Sequence, residues 1–221
     1  MKLDEIYDAF EKIMDDMEEG VTGTSDIKKL EALIPEIDAC TKGDQSKKDI
    51  LRAYIYSHIG YGYYTLADFE EEFGTEDDSL QHYADAKKAF ELSVEKFSSI
   101  APSDDRDYLF ADCYQMYADF LETIFCNSDR YGLKDVNEGD IEKFYKLSVN
   151  MYEHLLNGND YDTREELVDV CYNFAGYYYS KHDKDKSRPL FERAKSLAEE
   201  LEKEEPGTYE EFLDQVDQYM E

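Results

Sequence analysis

Four histidines, four cysteines and 54 carboxylates are the side chains of this sequence best able to do chemistry. Their spacing argues against most of it. His58, His82, His154 and His182 stand far apart, and none falls in the HExxH or ExxH pattern that puts metal ligands on one helical face. Cys40, Cys113, Cys126 and Cys171 form no CxxC pair and read as separate, reduced, buried thiols of a cytosolic protein. A phosphate-cradling loop needs a strand before its glycines and a lysine and hydroxyl after them; "GYGYY", Gly60 to Tyr64, has none of these. "DVNEGD", Asp135 to Asp140, superficially resembles a calcium loop. Its glycine stands at the fifth place instead of the sixth, and Lys146 occupies the place of the closing glutamate. The carboxylates lie beside no identifiable base or nucleophile. The expectation is a protein that is not an enzyme and needs no cofactor or metal.

The elements that must position any other kind of site are helices. Leu51, Tyr54, Ile55, His58, Ile59, Leu66, Phe69 and Phe73 recur in steps dominated by three and four. Leu109, Phe110, Cys113, Tyr114, Tyr117, Leu121 and Phe125 do the same, as do Leu190, Phe191, Ala194, Leu197 and Leu201. No sustained period-two alternation is bounded by hairpin turns, so the chain reads as all-α. Breakers such as "CTKGDQS", "FGTEDDS", "APSDD", "CNSDRYGLKDVNEGD" and "LNGNDYDT" divide it into about nine helices. Ser79, Asp104 and Thr163 are expected near helix starts, where their side chains can cap free N–H groups. Pro35 predicts a kink or a split in the second helix.

Composition narrows the partners. With 24 basic residues against 54 acidic ones, the net charge is −30. Such a surface repels nucleic-acid phosphates and anionic membranes. A chain that is 42% hydrophobic and 14% aromatic is nevertheless no acidic disordered tail. No segment approaches the roughly 20 apolar residues needed to span a bilayer. The opening "MKLDEIYDAFEKIM" lacks the basic and apolar regions of an export signal, so a cytoplasmic location is expected.

An internal offset organises the helices. Leu51, Leu109 and Leu167 are spaced 58 residues apart, and so are Tyr56, Tyr114 and Tyr172. In the same register Gly60 falls on Ala118 and Gly176, and Tyr63 on Leu121 and Tyr179. Small residues recurring at one register, with large ones three before and three after, predict a close helix crossing in each unit. Gly62, aligned with Phe120 and Tyr178, has no place in that scheme.

The first-helix sets Tyr56, Ile59, Gly60, Tyr63; Tyr114, Tyr117, Ala118, Leu121; and Tyr172, Ala175, Gly176, Tyr179 resemble the tetratricopeptide repeat pattern W-x2-L-G-x2-Y. Second-helix sets Ala86, Phe90, Ser93; Ser187, Phe191, Ala194; and the weaker Ile141, Tyr145, Ser148 follow, with Pro102 and Pro206 after two of them. Ile6, Ala9, Phe10 and Ile13 belong to a degenerate first unit. The resemblance covers residues 48–206, in units longer than the family's roughly 34 residues and without tryptophan. It implies a single domain over 1–221: a right-handed α-α superhelix of about four hairpins (1–42, 46–100, 104–157 and 162–205) plus a capping helix at 207–221.

In that family the first helices line a concave groove for a partner segment. By register, the resemblance implies that Tyr54, Ser57, Tyr61 and Tyr64 face this groove in one unit. Asp112, Gln115, Asp119 and Glu122 follow in the next, and Asn173, Tyr177, Ser180 and Lys181 in the last. Tyrosines around central carboxylates suit a basic, partly apolar protein segment. An anionic C-terminal clamp does not fit, because Asn173 and Lys181 are outweighed by Asp112, Asp119 and Glu122. The alternative is an acidic decoy that imitates nucleic acid and occupies a DNA- or RNA-binding protein. Oligomeric state stays open.

Overall fold

A computed structural model of the chain describes residues 2–18, 23–127, 136–156 and 160–220. Among them are nine helices and no strand. They are α1 (Leu3–Glu18), α2 (Thr24–Ala39), α3 (Gln45–Phe73), α4 (Glu76–Ser99), α5 (Asp104–Cys126), α6 (Glu138–Leu155), α7 (Tyr161–Ser180), α8 (Lys184–Glu204) and α9 (Glu210–Met220). The path after Cys126, the end of the third expected hairpin and the Asp135 start of "DVNEGD" lie outside the described residues.

Helix starts are set by caps that stand earlier than the sequence reading placed them. Thr75 accepts from Asp78 N–H and Ser103 from Arg106 N–H. Asp44, Asn137 and Asp183 act likewise at α3, α6 and α8. Ser79 is therefore inside α4 and buried, its hydroxyl donating to the Glu76 carbonyl at 3.1 Å. Asp104 is the first residue of α5, and the Thr163 hydroxyl donates to Asp160, which precedes α7. α2 runs through Pro35 without splitting.

Neighbouring helices pack in sequence order. α3 lies most extensively against α4, α5 against α6 and α7 against α8, and α3 touches α5 as α5 touches α7. The 58-residue offset is visible in these last contacts. The Tyr54 hydroxyl donates to Asp112 at 2.8 Å, and the Tyr108 hydroxyl approaches Glu166 at 3.5 Å; each pair is separated by 58 residues. α1, α2 and one side of α3 enclose a second apolar cluster, and α9 closes the other end against α8.

Close approach explains two of the glycines. A Cβ on Gly60 would stand 3.0 Å from the Phe90 ring of α4, and one on Gly62 would stand 3.0 Å from Ile27 of α2. Gly62, left aside by the repeat pattern, thus permits an unrelated contact on the opposite side. At Gly176 the expected crossing is absent: a Cβ there meets nothing within 4 Å. Two further expectations need correction. Phe69 and Phe73, periodic with the core, are exposed at the end of α3, and Cys126 is exposed at the end of α5 while the other three thiols are buried.

Candidate functional site

The helix row α3–α5–α7 presents its acids to tyrosines of neighbouring helices. Asp112 is half-buried under the Tyr54 hydroxyl, and burial pushes its carboxyl up to about 6 against the opposing hydrogen bond. One turn pair further along, the Tyr145 hydroxyl of α6 donates to Asp119 at 2.5 Å and reaches Glu122 at 3.1 Å. Burial raises Asp119 to about 7, helped by the charges of Glu122, Asp112 and Asp169. Glu122 is raised for the same first reason, with the Tyr145 bond and the Lys181 charge opposing. These acids were expected on an open face; they are instead part of an inter-helix hydrogen-bond network.

Six of the expected residues come together. Tyr64, Asp119, Glu122, Asn173, Tyr177 and Ser180 line one pocket of about 730 Å³ between α3, α5 and α7. Thr123, Cys126 and Asn127 continue its α5 wall, Tyr145 of α6 and Phe191 of α8 its floor, and Tyr219 of α9 closes its end. Tyr64 is fixed by its hydroxyl, 2.9 Å from Thr123 Oγ1, and by an edge contact with Phe120. Tyr219 stacks on Phe191 at 5.3 Å and meets Tyr179 at 5.0 Å.

The other expected residues lie elsewhere. Ser57 is fully buried and donates to the Tyr54 carbonyl, because its register turns it towards neighbouring helices. Tyr54 and Asp112 occupy each other between α3 and α5. Gln115 is half-buried, its Oε1 without a partner. Tyr61 is 40% exposed and meets Tyr64 edge-on at 6.3 Å. Of the six that do line the pocket, Tyr177 is itself 1% exposed, so it is mostly core. Lys181 stands at the rim, where Nζ pairs with Glu138, contacts the Tyr177 hydroxyl at 3.0 Å and lies 4.5 Å from that ring.

Contributors from outside the row were missed. Tyr145 looked like a weak core position and Tyr219 belonged to the capping helix, so no local signal marked either. A second cavity of about 720 Å³ lies at the opposite ends of the helices and contains none of the expected groove residues. It is lined by Asp4, Asp8, Asp104, Asp105, Asp160 and Asp162 over Leu3, Ile50 and Leu109. Four of those acids stand at the N-termini of α5 and α7, where exposed N–H groups favour them without any ligand.

Among the described residues no group of three or more His, Cys, Asp or Glu is arranged to hold a metal ion, and no helix is long and apolar enough to cross a membrane. Comparison with protein-family models, curated proteins and solved structures returned no match.

Proposed function

We propose that this chain is a non-enzymatic protein-interaction module of the tetratricopeptide kind, a right-handed superhelix of helical hairpins closed by α9. Its ligand is a basic, partly apolar segment of a partner protein. The observation that carries this reading is the pocket itself: six residues chosen by repeat register converge on one cavity, with two carboxyls at its α5 side. Electrostatic steering by a −30 chain would speed the encounter.

The decoy reading has less support. Lys29, Arg52, Lys88, Lys146, Arg188 and Arg193 each stand within 4 Å of an acid, so cations break up the even anionic field that imitation of nucleic acid needs.

The test is an array of basic, neutral and acidic peptides read by fluorescence anisotropy at two salt concentrations, with Tyr61→Ala and Glu122→Gln as variants. These side chains are accessible enough to change without removing core. Basic, aromatic-tolerant peptides should bind best, and both variants should weaken them. Equal binding of acidic and basic peptides, or indifference to both variants, would end this reading. A decoy would instead bind many unrelated cationic proteins, and duplex DNA or heparin would compete for them.

A further inference from the structure

Gly176 is the residue that packing does not explain. It sits inside α7, where glycine is among the poorest helix formers, yet a Cβ there would meet nothing within 4 Å. Its aligned counterpart Gly60 differs, since a Cβ there would press on Phe90. What Gly176 borders is the 730 Å³ pocket. A larger side chain at this point of the α7 wall would fill space that is now open. The glycine keeps a cavity open at a cost to its own helix.

The surrounding chemistry suits an organic cation. Tyr64, Tyr145, Tyr172 and Tyr219 give the pocket aromatic walls, and Asp119 and Glu122 are held side by side by one hydroxyl. Among the described residues neither carboxyl belongs to an ion pair. Lys181, whose charge reaches Glu122, is committed to Glu138 and the Tyr177 hydroxyl. That lysine also offers an internal precedent. Its ammonium lies 4.5 Å from the ring of Tyr177, a pocket residue, and 5.1 Å from that of Phe125. An anionic group would meet the Glu122 carboxylate and a chain of net charge −30.

Resting on the groove reading above, the geometry points to this pocket as the subsite for a single lysine or arginine side chain of the bound segment. The alkyl stem lies along the tyrosine rings past Gly176, and the charged head reaches Asp119 and Glu122. Gly176 is then a specificity residue, because its missing side chain admits the stem.

Selection of a random dodecapeptide phage library on the full chain supplies the probes, and labelled winners are then measured by anisotropy. The winners should share a lysine or arginine at one position, and replacing it with norleucine should weaken binding about tenfold or more. Gly176→Leu should weaken binding by about tenfold or more, Glu122→Gln by about threefold, and Gly176→Ala by less than about twofold. Circular dichroism and a cooperative melt establish that each variant is folded. If Gly176→Leu fails to fold, the norleucine and Glu122→Gln arms decide. Winners that lose affinity with Tyr61→Ala but tolerate norleucine and Glu122→Gln would overturn the subsite and leave the groove standing. A library with no winner over an unrelated acidic protein would overturn both.

Discussion

Alanine placed at Gly60 and, separately, at Gly176 should move stability in opposite directions. In a helix interior the exchange itself stabilises by about 1 kcal/mol. At Gly176 nothing within 4 Å resists the new methyl, so the whole gain should appear. For a chain of this size it corresponds to a rise of about 2–4 °C in Tm. At Gly60 the methyl would stand 3.0 Å from two atoms of the Phe90 ring. Ordinary carbon contact begins at about 3.5 Å. Phe90 has no room to retreat: it is fully buried, stacked on Tyr117 at 5.3 Å and tilted against Phe120 at 5.5 Å. Overpacking of this kind costs about 1–3 kcal/mol, leaving a net loss of up to about 2 kcal/mol. Urea unfolding followed by far-UV circular dichroism at neutral pH measures both. The two variants should differ by about 1–3 kcal/mol, the sum of the lost and retained terms. Equal shifts of the same sign would refute the reasoning, and with it the claim that one aligned glycine serves packing and the other an opening.

Three further outcomes concern buried polar groups. The Asp119 carboxyl is raised from 3.8 to about 7, so the folded chain holds a proton that the unfolded chain releases, and this group's contribution to stability should fall as pH rises through that window. Asp119→Asn should remove that slope and be the more stable protein at about pH 8, by at most about 4 kcal/mol; parallel stability–pH curves for the two proteins would disprove it. His58 has the opposite sign: it is buried with both ring nitrogens unpartnered and stays neutral down to about 3, so stability is lost as pH falls below 6.5. His58→Leu should gain about 1–3 kcal/mol at neutral pH and more in acid, and a variant no more stable than wild type in urea would contradict this. Tyr54→Phe deprives Asp112 of its hydroxyl at 2.8 Å and should cost about 1–3 kcal/mol above about pH 6, where the carboxyl is ionised. Below that pH the loss should shrink, and a pH-independent difference between the two melts would show that the bond does not hold the charge.

The sequence by itself determined the helical class and the 58-residue register, because both are local or nearly local: apolar steps of three and four place side chains on one face whatever that face later meets. The register then brought Tyr64, Asp119, Glu122, Asn173, Tyr177 and Ser180 to one cavity. It did not resolve Thr75 from Ser79 as a cap, since both types of residue cap free N–H groups and serine, the residue not used, is the stronger of the two. It turned Ser57 outwards and left Asp112 open to a partner, whereas the packing of α3 on α5 buried the one and gave the other to Tyr54. Tertiary structure alone decided that Tyr145 would bridge two carboxyls and that Tyr219 would close the pocket, because both arrive from helices whose position depends on the whole stack. It also gave the same residue type two tasks. Gly60 faces a ring and Gly176 faces empty space, and a spacing in the chain carries no information about what stands across from it.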